Sequence, residues 1–315
     1  MDPMEVKVSA PATIANLGPG YDIVGLALDR PRDVLKAKLS KVDRDSLVVS
    51  GIGGETISPA PEKNSCAVAA RAVLGAVGRS DLCLEMELSK GVPPRMGMGS
   101  SGASSAAGAF AVNKLLGSPL GSDELLVCAM EGERAACGAA HADNVAPALL
   151  GGVTVIVGMS PLRVIRLDPP RDVCVVIVSP KMKVGDEKTK LAREVLPKSV
   201  PLPTVVGQIS AFSSLILGLV RGDPALMGRG ISGDVIIEPA RAKLIPGFSR
   251  LKRVALEAGA HGFSISGAGP SVFALCPPRR GKAIEEAVAG AFTEEGLESS
   301  HGCYRCGEEG AMVVR

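Results

Sequence analysis

Lys90-Gly-Val-Pro-Pro-Arg-Met-Gly97-Met-Gly99-Ser-Ser101-Gly-Ala-Ser-Ser-Ala-Ala-Gly-Ala109 joins a strand pattern to a helix pattern through a turn of glycine and serine. Upstream, Leu82, Leu84, Met86 and Leu88 alternate with Cys83, Glu85 and Glu87, the period of two that a half-buried strand requires. Downstream, small and apolar residues from Ala103 to Leu116 recur at helical spacing and stop at Gly117. Glycines let the backbone of such a turn approach a ligand closely, and the first N–H groups of the next helix have no partner inside it. A helix start of this kind is an anion site.

Other loop types share part of this appearance. Gly97-Met-Gly99-Ser-Ser-Gly102 satisfies the G-x-G-x-x-G fingerprint of dinucleotide-binding folds. That fingerprint needs a tight turn straight off a strand, whereas Lys90 to Arg95, with two prolines, intervenes here. An acidic residue follows about twenty positions on, but Asp123 stands in a helix start. The Walker form fails because Ala103 occupies the lysine position. What remains is Pro-x-x-x-Gly-x-Gly-Ser-Ser, a loop type whose serine hydroxyls could reach a magnesium ion while its backbone amides hold phosphates. A plain glycine- and serine-rich helix cap reads the same on this stretch alone.

The chain has 315 residues, enough for two domains at roughly 150 residues each. With 46% hydrophobic residues it can build a sizeable core. Its 35 basic and 33 acidic side chains leave a net charge of +2, and with no Trp and two Tyr nothing points to nucleic acid. No apolar run approaches a membrane span and the start lacks a secretory signal, so a cytoplasmic protein is expected. Most of the eight cysteines fall in apolar segments, as Cys66, Cys128 and Cys174 do, which fits small buried hydrophobes in a reducing compartment. His301-Gly-Cys303-Tyr-Arg-Cys306 offers three zinc ligands where a structural site needs four, so a local disulfide or two ordinary thiols is the simpler expectation.

Before the glycine loop, Val6, Val8 and Ala10 alternate as a strand, and Thr13-Ile-Ala-Asn16-Leu-Gly-Pro-Gly-Tyr-Asp22 follows as a turn that could present Asn16 and Asp22 to one cavity. Ile23 to Leu28 and Val34 to Val42 read as separate strands, and Asn64 reads as an N-cap or as a loop position facing a ligand. After the glycine loop comes a helix to about Cys137 carrying Glu133. Gly138-Ala-Ala-His141-Ala-Asp143-Asn144-Val-Ala-Pro147 is then a polar cluster beside a proline break. Proline-marked positions near Pro161 and Pro169-Pro170 suggest the domain boundary. Late in the chain, Phe263-Ser-Ile-Ser-Gly267-Ala-Gly-Pro-Ser271 is a strand with a glycine turn.

Pro11–Asp22, Pro93–Ala106 and Ser266–Ser271 together resemble the three motifs of the GHMP kinases, the superfamily of galactokinase, homoserine kinase, mevalonate kinase and phosphomevalonate kinase. The stretches Ala12–Asp22 and His141–Gly152 resemble the homoserine kinases in particular, over nearly the full chain. The resemblance implies a two-domain α+β fold. Residues 1–160 would form an ATP-binding domain like domain 2 of ribosomal protein S5, with a left-handed βαβ crossover, and residues 161–315 a ferredoxin-like domain. It implies ATP and Mg²⁺ as cofactors and L-homoserine as acceptor, and many relatives form homodimers. Shikimate or mevalonate as acceptor, or a silent binding protein on the same fold, are the alternatives.

Residue by residue, the resemblance places Asn64, Lys90, Pro94, Arg95, Met96, Gly97, Met98, Gly99, Ser100 and Ser101 at the nucleotide, and Ser101 and Glu133 on the metal. It places Asn16, Asp22, His141, Asp143, Asn144, Thr189, Arg193, Arg241 and Gly267 at the amino acid, with the two arginines clamping its carboxylate. A guanidinium fork suits that task better than lysine; a surface salt bridge is the plainer role for either. Asp22, His141 and Asn144 stand nearest the chemistry. Asparagine cannot serve as a base at neutral pH, so the expectation is transfer without a strong general base, with His141 or Asp22 as the rival.

Overall fold

A computed structural model describes residues 5–40, 43–138, 141–182 and 188–314, the side chains of residues 137 and 188–190 excepted. The chain divides into two compact units, one holding residues up to Ile14, Asp22–Asp168 and everything from Gly307 on, the other holding Ala15–Tyr21 and Pro169–Cys306.

The first unit runs β1 (Glu5–Ala15), β2 (Val24–Leu39), β3 (Ser46–Gly51), α1 (Ser65–Ala76), β4 (Leu84–Lys90), α2 (Ser100–Leu115), α3 (Ser122–Cys137), α4 (Ala142–Leu150), β5 (Val153–Met159) and β6 (Leu162–Leu167), and takes back the last strand, β11 (Met312–Val313). Its sheet has the order β11-β1-β2-β4-β3, with β5 against β2 and β6 against β5. β3 and β4 are parallel and joined through α1, the βαβ unit on which the glycine loop follows. The inward residues of β4, Leu84, Met86 and Leu88, meet Leu35 and Ala37 of β2 beneath α1, α2 and α3. These helices approach closely where side chains are absent: a Cβ on Gly108 would lie 2.0 Å from the Cys66 carbonyl oxygen, and one on Gly132 2.2 Å from that of Ser65.

The second unit runs β7 (Cys174–Pro180), α5 (Lys188–Glu194), α6 (Leu202–Arg221), α7 (Pro224–Ser232), α8 (Ile237–Arg241), α9 (Phe248–Glu257), β8 (Gly262–Ile265), β9 (Val272–Cys276), α10 (Gly281–Glu294) and β10 (Ser299–Arg305). Its antiparallel sheet has the order β10-β7-β9-β8. This is a β-α-β-β-α-β succession of the ferredoxin-like kind, with α5 to α9 in the first helical position. Phe263, Ile265, Val272 and Ala274 pack against Leu251, Ala255, Ile284, Val288 and Phe292.

Four features differ from the sequence expectations. β2 is continuous across residues 29–33, where two strands, Ile23 to Leu28 and Val34 to Val42, were expected. The polar cluster after α3 folds as α4 with Pro147 inside it. Proline removes a hydrogen bond to the residue four before it and crowds that turn; Gly25 of β2 leaves room there, since a Cβ on it would lie 1.9 Å from the Asp143 carbonyl oxygen. The division between units follows Asp168 rather than residue 160, because β6 pairs with β5, and the chain returns to the first unit at Gly307. Finally, α6 is long and apolar enough to span a membrane, with a mean hydropathy of 1.6 over its apolar window. Ala211, Leu215 and Gly218 lie against α7, and Leu202, Val206, Ile209 and Val220 are exposed.

Candidate active site

Within the first unit, the glycine loop is held by its neighbours in sequence and space. Gly97 and Gly99 both have positive φ, at 67° and 63°, a conformation in which a Cβ is strained. Gly99 is the N-cap of α2 and brings no side-chain oxygen over the first turn, so the place of a capping group is left to an anion. The Thr13 amide of β1 donates to the Met98 carbonyl at 3.0 Å, tying the loop to the sheet edge. Thr13 Oγ1 donates to Asn144 Oδ1 at 2.8 Å. A Cβ on Gly99 would lie 1.9 Å from Thr13 Oγ1 and 2.7 Å from Asn144 Oδ1, and one on Gly102 3.0 Å from the Asn144 Cβ. Asn144 therefore sits against the first turn of α2. Asp143, on the first turn of α4, is buried, where its charge suits the helix dipole. His141 is the half-buried N-cap of that helix, and Asp22 is a half-buried turn residue at φ 56°.

Ser101 and Ser105 share a face of α2, one turn apart. α3 crosses that face at Gly132, where a Cβ would lie 2.5 Å from Ser105 Oγ. The next residue, Glu133, is 4% exposed. A serine hydroxyl and a glutamate carboxylate are the hard oxygen donors that magnesium takes, the remaining ligands coming from water and phosphate. The donor set therefore fits that ion.

Asn64 takes the N-cap role, one of the two readings of its position, and Lys90 is buried. Asn64 caps α1 through Oδ1, which accepts from the Cys66 amide at 3.0 Å, while its Nδ2 donates to the Ser58 carbonyl at 2.8 Å. The ammonium of Lys90 is buried against Asp33 and also donates to Ser104 Oγ at 2.8 Å and the Ser100 carbonyl at 3.1 Å. Those contacts engage all three of its N–H donors, so the lysine acts from beneath the loop. Among the other loop residues, Arg95 is exposed at φ 63°, Pro94, Met96 and Ser100 are half-buried, and Met98 is buried.

In the second unit, the Gly267 carbonyl accepts from Asn16 Nδ2 and from Arg241 Nη1, both at 3.0 Å. Arg241 Nε donates to the Ala192 carbonyl at 2.9 Å. The guanidinium carbons of Arg241 and Arg193 lie 4.9 and 5.7 Å from the centre of the Tyr21 ring, within cation–π reach. Arg241 is 4% exposed, so the surface salt bridge is not its role. α8, which carries it, is anchored by Asp234, whose carboxylate accepts from the amides of Ile236, Ile237 and Glu238. Burial pushes the Glu238 carboxyl above the usual range, opposed by Lys252 and Ser264. Thr189 belongs to α5, and its side chain lies outside the described residues. Ser101, Glu133, Asp22, His141, Asp143 and Asn144 thus fall in the first unit, and Asn16, Thr189, Arg193, Arg241 and Gly267 in the second.

Thr13, Asp33, Ser104 and Tyr21 were not singled out from the sequence. The strand periods do point to Asp33 and Lys90: each continues an inward alternation, 33-35-37 and 84-86-88-90. Of the two expectations for this stretch, Cys303 and Cys306 are free thiols rather than a local disulfide. His301 Nδ1 lies 2.9 Å from Glu285, and Cys303 Sγ lies 2.9 Å from Cys174 Sγ. Among the described residues no group of three or more His, Cys, Asp or Glu could hold a metal ion.

Residues 64–152 match the GHMP kinases N terminal domain and residues 215–294 the GHMP kinases C terminal domain. The chain is 42% identical over 297 residues to the homoserine kinase of Pyrococcus furiosus, covering 94% of this chain and 96% of that one. It is 41% identical over 294 residues to the homoserine kinase of Natronomonas pharaonis, covering 93% and 95%. The crystal structure of a homoserine kinase from Cytophaga hutchinsonii is similar with a TM-score of 0.90 at 38% identity, covering 98% of this chain and 97% of that one.

Proposed function

The chain belongs to the GHMP kinases, and on that premise we propose that it transfers the γ-phosphate of ATP to the side-chain hydroxyl of L-homoserine, giving O-phospho-L-homoserine for threonine synthesis in the cytoplasm. The observation that carries this reading is the Thr13–Asn144 pair seated against Gly99 at the start of α2, in a chain similar along nearly its whole length to homoserine kinases. A sibling acting on shikimate or mevalonate is not favoured by that likeness. A silent binding protein would have no use for the oxygen donors of Ser101 and Glu133.

The loop residues from Pro94 to Ser101 surround the phosphates, those from Arg95 on cradling them with backbone N–H groups, and the first turn of α2 places its positive end against them. Ser101 and Glu133 would hold Mg²⁺, which when bound would neutralise charge on the phosphates. Asn144, its Oδ1 accepting from Thr13, turns Nδ2 to the acceptor hydroxyl as a donor and cannot remove its proton. The loose transition state of phosphoryl transfer asks little prior activation of the nucleophile. Alignment by Asn144 and the loop therefore suffices, and the proton leaves late. His141, Asp143 and Asp22 attend the hydroxyl and ammonium of the amino acid. Arg241 and Arg193 take its carboxylate, with Asn16, Gly267 and Thr189 completing the recognition. Tyr21 and the Ala192 and Gly267 carbonyls hold the Arg241 guanidinium in a set direction.

ADP release from Mg·ATP across L-homoserine, shikimate, mevalonate, galactose and L-serine tests the proposal. Turnover with homoserine alone is expected. Turnover only with another alcohol would overturn the acceptor assignment, and none with any, despite ATP binding, would overturn the catalytic one.

A further inference from the structure

A buried carboxylate and ammonium lie under the glycine loop, where neither can touch a ligand. Asp33 and Lys90 have fully buried side chains that form an ion pair. Asp33 Oδ1 accepts from the amides of Gly91 at 3.1 Å and Val92 at 2.9 Å, the first two residues after β4. Its Oδ2 accepts from Lys90 and from Ser104 Oγ, the latter at 2.8 Å. Lys90 in turn donates to the carbonyl of Ser100, the first residue of α2, and to Ser104 one turn further on. Ser100 Oγ closes the ring by donating to the Val92 carbonyl at 2.9 Å.

Two charges taken out of water each lose their hydration, and their attraction recovers this only with good geometry and further hydrogen bonds. An apolar pair would suit the sheet better if stability alone mattered. Burial pushes the Lys90 ammonium below the ordinary lysine range, and Asp33 opposes that. What the pair provides in return is geometric: its contacts join the entry of the loop, residues 90–92, to its exit, residues 100–104. Between them lie Gly97 and Gly99, whose left-handed backbone aims the N–H groups.

We propose that Asp33 and Lys90, with Ser104, are positioning residues that hold the two ends of the phosphate loop in register, so that its N–H groups and Ser101 meet the nucleotide phosphates without reorganisation. The inference rests on the kinase reading above. The pair is read through nucleotide affinity and through kcat, and is indifferent to the amino acid. Misplacing groups around a transferring phosphate by an ångström costs up to about a hundredfold in rate.

Three variants test it: Lys90→Met, the double variant Lys90→Met with Asp33→Asn, and the milder Ser104→Ala. Each is measured for Tm, for the Kd of Mg·ADP by calorimetry and for steady-state constants with both substrates. Lys90→Met strands a buried carboxylate and should lower Tm, and the neutral double variant should recover most of the loss. The positioning role predicts that the double variant still loses about 10- to 100-fold in kcat, binds Mg·ADP at least threefold more weakly, and keeps its homoserine KM. Ser104→Ala should show the same signature, reduced. Recovery of wild-type kcat and Mg·ADP affinity along with Tm would make the pair merely structural and sink the proposal, as would a rise in homoserine KM equal to that for ATP. If the double variant does not fold, Ser104→Ala with normal Mg·ADP affinity and kcat contradicts it. The calorimetric arm needs no acceptor. A wild-type protein inactive on homoserine would therefore overturn the function proposed above while Mg·ADP affinity still decides this one.

Discussion

Glu133 shows how one buried carboxylate can be read two ways. On α3 it looks like part of a solvated charged face with Glu131 and Arg134, yet it is 4% exposed and follows the glycine at which α3 meets the serine face of α2. Replacing it by glutamine keeps the shape and removes the anion. The Mg²⁺ concentration for half-maximal rate should then rise at least about tenfold, measured by titrating the metal at saturating ATP and homoserine; an unchanged requirement would remove it from the metal. Arg241 is buried and braced, so Arg241→Ala should leave the KM for ATP in place and raise that for homoserine about 10- to 100-fold, the worth of a charged hydrogen bond of roughly 1.5–3 kcal/mol. Asp22→Asn should lower kcat far less than the roughly 10²–10⁴-fold that loss of a general base costs. A loss in that range would make Asp22 the base and displace the account of Asn144. Cys66 carries the pH signature. Burial, reinforced by Asp33, pushes its thiol from 9.0 up to about 12. Between those values the unfolded chain loses the proton that the folded chain keeps, so this residue makes stability fall as pH rises from 9.0 towards about 12. Denaturant unfolding of wild type and Cys66→Ala across that window should show the steeper decline in the wild type.

At the scale of elements, what was legible depended on whether the signal was local. The strand before the loop and the helix after it were written in alternation and helical spacing, and both are present as β4 and α2. α4 was not, because Pro147 reads as a break, and only Gly25 on a strand more than a hundred residues away shows why the helix tolerates it. The N-cap role of Asn64 was legible, since the residue type and the following helix stand together. The fate of Lys90 was half legible: the period placed it inward, but its partner Asp33 comes from β2, and a lysine at a loop reads first as a ligand contact. Tyr21 gave no signal, because its two arginines lie far along the chain. Helix packing gives a prediction at this scale. A methyl on Gly132 would meet the Ser65 carbonyl and Ser105 Oγ, so Gly132→Ala should destabilise by about 1–3 kcal/mol and weaken Mg·ADP binding by moving α3 off the serine face. Chemical denaturation and calorimetry would read both effects, and a stability and affinity equal to wild type would contradict the packing argument.

For the whole molecule, the three glycine motifs carried the family and hence the two-domain α+β fold, while the course of the chain between units did not follow from them. The prolines near residues 161 and 169 marked two possible boundaries. Strand pairing of β6 with β5 selects the later one, and the return of β11 to the first sheet is a long-range pairing with no local mark. As a chemical agent, the molecule passes the γ-phosphoryl group of ATP directly to the hydroxyl of homoserine. Phosphorus NMR of the reaction with Mg·ATP and L-homoserine tests this most directly. A single new phosphomonoester signal is expected, coupled to the terminal methylene protons of homoserine and growing in equal amount with ADP. Inorganic phosphate in place of that signal, or ATP left intact while homoserine is present, would contradict it.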